Sequence, residues 1–354
     1  MTSLPLSPPT LRHSCPALLL AAALVSALPL VRAQVTITAV NTTTNTTAPS
    51  TTETGTNPGT LTYQNDIRNI NTFTAGGTNY YIAGSATDAF VRRNAVNSNN
   101  SSLWVADVNA TTVVGTDKDT YSSVLRDNNI FQGSDNVFVN GTTASQGNIE
   151  RVDFVWNSGI AVQASDGFAI FDRGAAAAHD AVQVAVITSL GSGLASPLTW
   201  GFGTVLELSA ASYGANLDLD NSGGAADTIA YRLLRFGGTG DTLTAHTDAT
   251  ATGSQGLAGS FIRFSDLGIT SGTTIYGYAI MGSDVTNTSA SLADWSTAAF
   301  YPTNTADATG GIDLASFNGQ ISRVPEPATY GALVIGLSVA LVGWRRSRRP
   351  AALS

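Results

Sequence analysis

The sequence predicts an all-β fold of the β-sandwich or jelly-roll type over residues 61–323. Several short runs alternate bulky apolar with other side chains at a period of two, which is typical of half-buried strands. They are residues 152–156, 182–186, 229–235 and 274–280. Pairs of turn-forming residues separate such runs: Gly76-Gly77, Asn140-Gly141, Asp166-Gly167, Gly223-Gly224 and Gly237-Gly238. Many short strands joined by tight turns are typical of sandwiches and jelly-rolls.

The N-terminal 33 residues have the three parts of a secretory signal peptide. Arg12 precedes an apolar run over residues 17–31, and Ala33 provides the small residue before a predicted mature start at Gln34. A membrane span is the alternative, but Pro29 and Arg32 interrupt it. Cys15 is the only cysteine, so its removal would exclude disulfides from the exported chain. Residues 34–60 are rich in Thr and Asn with few apolar side chains, which predicts a flexible segment.

The remaining predicted strands rest on β-branched and aromatic composition. They are residues 67–73, 79–83, 103–108, 168–171, 199–208 and 260–264. Only two stretches of this region favour helix, a single turn over residues 175–178 and a short helix over residues 291–299. About 260 ordered residues suit one large β-domain or two smaller ones, and we favour one.

The C-terminal segment, residues 324–349, differs in character from everything before it. It begins with Val324-Pro325-Glu326-Pro327 and continues with an uncharged apolar span of 17 residues, 328–344. It closes with a basic cluster of four arginines, Arg345, Arg346, Arg348 and Arg349. The span has the minimum length of a transmembrane helix, roughly 17–25 residues, and the arginines place the C-terminus on the cytoplasmic side. A buried core helix is the alternative, which the basic cluster argues against.

This arrangement resembles the PEP-CTERM sorting signal of exosortase substrates. The resemblance covers residues 324–349, and only the short extension 350–354 departs from it. It implies that an exosortase-type enzyme cuts near the Pro-Glu-Pro element, after a transient membrane stage, and that the remainder reaches the cell surface or extracellular matrix. Two ectodomain stretches resemble segments of other exosortase-sorted proteins of unknown function: residues 167–174 with His179-Asp180, and residues 303–314. No activity is implied by that second resemblance.

The charge of the chain bears on its partners. It carries 17 basic and 25 acidic residues, a net charge of −8, and Lys118 is the only lysine. Because Arg12, Arg32 and the basic cluster lie in the terminal segments, the region between them is more acidic than this average. Such a surface repels nucleic acid and anionic lipid. We therefore expect no nucleic-acid partner, and favour divalent cations or neutral polymers such as exopolysaccharide.

One acidic turn predicts a calcium site. Asp218, Asp220 and Ser222 place side-chain oxygens at positions 1, 3 and 5 of a calcium loop, and Gly223 occupies position 6. The second half of the loop departs from the pattern, because Asp227 falls at position 10 and Ile229 at position 12. These four oxygen-bearing residues suit a weak extracellular site completed by backbone carbonyls; an ordinary acidic turn is the alternative.

Catalytic patterns are sparse, which predicts that the protein is not an enzyme. After signal removal only His179 and His246 remain, with no Gly-X-Ser-X-Gly elbow and no zinc-binding histidine spacing. We interpret His179-Asp180 as a loop or cap pair. A glycosidase would need two opposed carboxylates, and Glu150 and Glu207 are interpreted instead as solvated or paired acids at strand edges.

These observations predict an exported bacterial protein of the surface, extracellular matrix or biofilm. Its predicted role is structural or adhesive, in the envelope or exopolysaccharide layer. The first alternative is a calcium-assisted carbohydrate-binding module, and an extracellular hydrolase is the second. Aromatic side chains suited to stacking on sugars are Trp104, Trp200, Tyr80, Tyr81 and Trp295, for most of which packing in the core is the favoured interpretation.

Overall fold

The computed structural model describes residues 34–44, 52–54, 60–62, 68–94, 100–106, 120–140, 147–175, 179–219, 226–237, 243, 246–286 and 288–324. All of them belong to one compact unit that begins at Gln34. The predicted signal peptide, the residues Pro325, Glu326 and Pro327, the apolar span 328–344 and the basic cluster lie outside the described residues. Within the described ranges, no helix has the length and hydropathy needed to cross a membrane.

The described chain is mostly β, which confirms the all-β part of the predicted fold class. Its strands are β1 (Val35–Thr44), β2 (Thr52–Thr54), β3 (Thr60–Thr62), β4 (Arg68–Ala75), β5 (Thr78–Ser85), β6 (Asp88–Arg93), β7 (Asn100–Val105), β8 (Gln132–Ser134), β9 (Ile149–Ala161), β10 (Gly167–Gly174), β11 (Val182–Ser189), β12 (Gly201–Leu208), β13 (Thr228–Gly237), β14 (His246–Arg263), β15 (Thr274–Gly282) and β16 (Gln320–Arg323). Short helices are α1 (Tyr121–Arg126) and α2 (Asp307–Gly310). Single 3-10 turns occur at Pro197–Thr199, Ala210–Ser212 and Phe264–Leu267.

The smaller sheet has five antiparallel strands in the order β12-β11-β15-β9-β6. Val184 of β11 lies opposite Ile280 of β15, which in turn lies opposite Val152 of β9. All three side chains are fully buried. The period-two pattern therefore places β9, β11 and β15 correctly, because their alternating bulky side chains share one face that belongs to a single buried cluster. Strand β6 was not predicted.

The larger sheet has eleven strands, with β1-β4-β5-β16-β10-β14-β13-β3-β2 as its main path. The start of β1 also pairs with β14, so β1, β4, β5, β16, β10 and β14 form a closed ring. Gly76 and Gly77 join β4 to β5 with φ of +55° and +74°, the left-handed geometry of a tight hairpin turn. Tyr80 and Phe73 belong to one buried cluster of this sheet and stack with ring centroids 5.4 Å apart.

A second core lies where the two sheets face each other. Phe168 of β10 stacks on Tyr278 of β15 with ring centroids 3.8 Å apart, so the sheets are in direct contact. Ile170 and Ile262 of the larger sheet and Phe154 of the smaller one belong to the same buried cluster. Each such side chain contributes about 1.5–3 kcal/mol through burial. This shared core joins the sheets.

The predicted flexible segment is wrong for β1 and for β2. Val35–Thr44 pairs with β4 along most of its length, and Ile37 and Val40 are buried beneath it. Thr52–Thr54 pairs with β3. Threonine suits a pleated strand, and two apolar side chains at the right positions suffice to attach β1 to the core. For β1, composition alone underestimates this because its partner strands, β4 and β14, lie outside the segment.

The helical predictions also need correction. Residues 291–299 form successive turns, and the predicted helix is absent. Asp294 explains this, because its carboxylate accepts hydrogen bonds from the Ser296 amide and from the Ser296 and Thr297 hydroxyls. Such local bonds compete with helix formation. The other prediction, at residues 175–178, falls largely outside the described residues. By contrast, α1 was not predicted; Thr120 caps it through the Ser123 amide.

Candidate functional site

The structure brings together the two ectodomain stretches that the second resemblance singled out. Arg173 of β10 donates through Nη2 to Asp313 Oδ2 at 2.6 Å and to Asp135 Oδ1 at 2.9 Å. The neighbouring Asp172 accepts a hydrogen bond from the Asp313 amide at 2.9 Å through Oδ1. Residues 167–174 and 303–314 therefore meet in one buried polar network.

Burial dominates the electrostatics of this network. The Arg173 side chain is 1% exposed, and its guanidinium lies 3.5 Å from the centroid of the Tyr231 ring. Loss of solvent raises the pKa of Asp135 and raises that of Asp313 well above its usual range, although the Arg173 charge opposes both shifts. Arg173 thus bonds to two carboxyl groups that burial makes costly to ionise, and the Arg235 charge also favours the ionised form of Asp135.

Both ring nitrogens of His179 have hydrogen-bond partners. Its Nδ1 lies 3.1 Å from Asp172 Oδ2, and its Nε2 lies 3.1 Å from the Asn216 side-chain oxygen. The Asp180 amide also donates to Asp172 Oδ2. In a catalytic triad the second ring nitrogen faces a nucleophilic hydroxyl, but here it faces an amide. The geometry is that of a loop anchored to β10, in agreement with our interpretation of His179-Asp180.

Glu150 and Glu207 do not form a pair of opposed carboxylates. Glu150 lies on β9 and Glu207 on β12, three strands away in the smaller sheet, or about 14 Å at the usual strand spacing. Glycosidase carboxylates are at most ~9.5 Å apart. Glu150 is buried and accepts a hydrogen bond from Asn140 Nδ2 at 3.1 Å. Burial raises its pKa to about 8, whereas Glu207 is exposed.

The structure places only two of the four predicted calcium ligands. Asp227 is buried, and its Oδ2 accepts a hydrogen bond from the Leu219 amide at 2.7 Å, so it closes the base of the loop that Asp218 begins. Asp220 and Ser222 lie outside the described residues. Among the residues that are described, no three His, Cys, Asp or Glu side chains are grouped to hold a metal ion. The calcium site stays a prediction.

Chelation tests this site. If calcium binds, the folded state gains about 2.7 kcal/mol at a free concentration of 100 Kd. At roughly 2–4 °C per kcal/mol, EDTA should lower the Tm by several degrees, and Asp220→Ala should abolish that difference. Without a site, removing one carboxylate from so acidic a chain leaves the Tm unchanged or slightly higher. Scanning calorimetry with calcium and with EDTA decides; identical curves for the unmodified protein would leave only an acidic turn.

The aromatic candidates separate by exposure. Trp104, Trp200 and Tyr80 are buried, in agreement with packing as their role. Trp295 is half-buried and donates from Nε1 to the Arg93 carbonyl. Its ring centroid lies 5.0 Å from the Arg92 guanidinium carbon and 5.3 Å from that of Arg151. Tyr81 differs, because 37% of it is exposed. It is the member of the set that faces solvent.

Tyr81 lines a surface cavity beside the last strand, which we call the Tyr81 cleft. The cleft has a volume of about 330 Å³, and the described residues that line it are Tyr81, Ala161, Gln163, Ser165, Asp166, Arg323 and Val324. Arg323 Nε donates to Asp166 Oδ2 at 2.9 Å, and Nη2 donates to the Ala161 carbonyl. The cleft thus combines one exposed ring with several fixed polar groups.

No protein-family model, curated protein or solved structure matches this chain. The chain's own residues therefore carry the functional argument. Sequence reasoning recognised His179, Glu150 and Tyr81 but not their partners. Arg173 lies 38 residues from Asp135 and 140 residues from Asp313, so no local pattern connects them. Tyr80 and Tyr81 are consecutive residues of a predicted strand, so their rings should lie on opposite faces. This was the one signal for the cleft in the sequence.

Proposed function

We propose that the chain is an exported bacterial surface or matrix protein that an exosortase sorts. Its two-sheet, sandwich-like ectodomain would have a structural or adhesive role in the envelope, biofilm or exopolysaccharide layer. The observation that supports this is the position of β16. That strand pairs with β5 and β10 within the larger sheet and ends at Arg323. The motif Val324-Pro325-Glu326-Pro327 follows directly, and its first residue, Val324, is the last one described.

Because β16 is buried, the described fold is well packed up to the residues that precede the motif. Gln320, Ile321 and Ser322 are each at most 3% exposed, and Ile321 packs in the core between the sheets. Cleavage at the Pro-Glu-Pro element would therefore leave every described strand in place. A protein built in this way loses its membrane tail without losing its fold, which suits release to the surface after a transient membrane stage.

The proposed sorting route is tested by replacing Pro325, Glu326 and Pro327 with alanine. Secretion should continue, because the predicted signal peptide is unchanged. The protein should then remain uncut in the cytoplasmic membrane, with its C-terminus inside. Cell fractionation with immunoblotting measures both its location and its mass.

Pro350→Ala provides the matched control, since it changes a proline beyond the basic cluster. This variant should be processed as the unmodified chain is. Recovery of the triple-alanine variant in the matrix fraction at the processed mass would overturn the proposal.

A further inference from the structure

We propose that the Tyr81 cleft is a binding site for a neutral polysaccharide chain. The proposal rests on the extracellular location proposed above and assigns a ligand class to the adhesive role. Tyr81 would supply the stacking surface, and the polar groups around Arg323 would hold the sugar hydroxyls.

The stacking surface is fixed by the register of two strands. Tyr81 of β5 lies directly opposite Arg323 of β16, so their side chains project from the same face as neighbours. Tyr80, one residue earlier, points the other way and stacks on Phe73 in the core. The buried neighbour anchors the strand, and Tyr81 is left with 37% of its surface exposed at the cleft.

The polar side of the cleft is rigid. Gln163 and Asp166 belong to one turn, in which the Gln163 amide donates to Asp166 Oδ2 and the Asp166 amide donates to the Gln163 carbonyl. Asp166 is 2% exposed, and the same Oδ2 accepts the bond from Arg323. Ser165 completes the turn and adds a hydroxyl to the lining. Donors and acceptors held in place before binding lower its entropic cost.

Size and charge select the ligand class. A volume of about 330 Å³ lies at the lower end of ligand pockets, roughly 300–1,000 Å³, which suits one or two sugar rings of a longer chain. Arg323 is the only cation among the described residues that line the cleft, and Asp166 neutralises it. On a chain with a net charge of −8, this leaves no positive potential to attract an acidic polymer. The exposed Tyr81 ring lies beside an Arg323 guanidinium that is paired with the Asp166 carboxylate. This combination suits a neutral ligand that is rich in hydroxyl groups.

Affinity electrophoresis tests the proposal. The protein, purified from the fraction in which it accumulates, is run in gels that contain dextran, laminarin, galactomannan, xylan or the acidic polymer alginate. We expect at least one neutral polymer to retard it. Tyr81→Ala should weaken that retardation about tenfold or more, because the stacking surface is lost. Tyr81→Phe should keep it, and Arg323→Gln should weaken it.

Leu198→Ala is the matched control, since Leu198 is 57% exposed and lies outside the cleft. This variant should bind as the unmodified protein does, and unchanged melting curves for all variants would show that they fold. Retardation by no neutral polymer, by alginate alone, or equally for Tyr81→Ala would overturn the proposal. This assay tests polymer binding and not sorting. A protein that is sorted differently but still binds the polymer would contradict the proposed sorting route and leave the binding proposal intact.

Discussion

Glu150→Gln should make the protein more stable at pH 8 by several kcal/mol and remove the part of its pH dependence between pH 4.5 and 8 that comes from Glu150. Burial raises the pKa of Glu150 from 4.5 to about 8, so across this window the folded state keeps a proton that the unfolded state loses. The unfolded state then binds fewer protons, and stability falls by about 1.4 kcal/mol for each pH unit. The contribution is fully present below pH 4.5 and is lost as the pH rises through about 8.

Glutamine removes this slope because it is neutral at every pH and has nearly the shape of protonated glutamate. Its side-chain oxygen can still accept the hydrogen bond from Asn140 Nδ2. Asn140 also donates to the Pro302 carbonyl, so its position does not depend on Glu150 alone. The gain at pH 8 should be about 3–5 kcal/mol, from a shift of that size. Urea unfolding at pH 5, 6, 7 and 8 measures it.

Glu207→Gln is the matched control, because Glu207 is an exposed glutamate on the same sheet. Its stability should follow that of the unmodified protein within about 0.5 kcal/mol at every pH. The other buried acids remain in both variants, so the difference between them isolates Glu150. Parallel pH profiles for Glu150→Gln and the unmodified protein would show that Glu150 is ionised when folded, contrary to our expectation.

The strands were predictable because their signal is local. Val152, Phe154 and Trp156 alternate along one strand, and all three lie in the core shared by the two sheets. The same reasoning failed for β1, where Ile37 and Val40 were too few to stand out among threonines and asparagines. What makes β1 a strand is β4, which lies outside any local window.

The site was less predictable than the fold. The alternation of Tyr80 and Tyr81 puts one ring on each face of β5, but it does not say which ring is covered. Asp166 and Arg323 are 157 residues apart and meet only because β10 and β16 are neighbours in the sheet. Charged residues far apart in sequence give no periodic signal before the topology is known. For the same reason, Arg173 and its two aspartates were not recognised.

Arg173→Met should destabilise the protein by about 3–5 kcal/mol at pH 8, the usual cost of leaving buried carboxylates without their cation. The Arg173 side chain is 1% exposed and bonds to both Asp135 and Asp313. Burial already raises the pKa of both acids, and loss of the cation raises them further. The folded variant then takes up protons as the pH falls. Its deficit should therefore shrink towards pH 5.

The double variant Arg173→Met with Asp313→Asn tests whether the charge is responsible. Removing one uncompensated carboxyl group should restore part of the unfolding free energy that Arg173→Met loses at pH 8. Urea unfolding of the single and double variants gives this coupling as a double-mutant cycle. Arg323→Met is the matched control, because Arg323 is 33% exposed and its one partner, Asp166, keeps the hydrogen bond from the Gln163 amide; its loss should cost less than that of Arg173. An equal cost for Arg173→Met at pH 5 and pH 8, with no recovery in the double variant, would assign the loss to packing against Tyr231 alone.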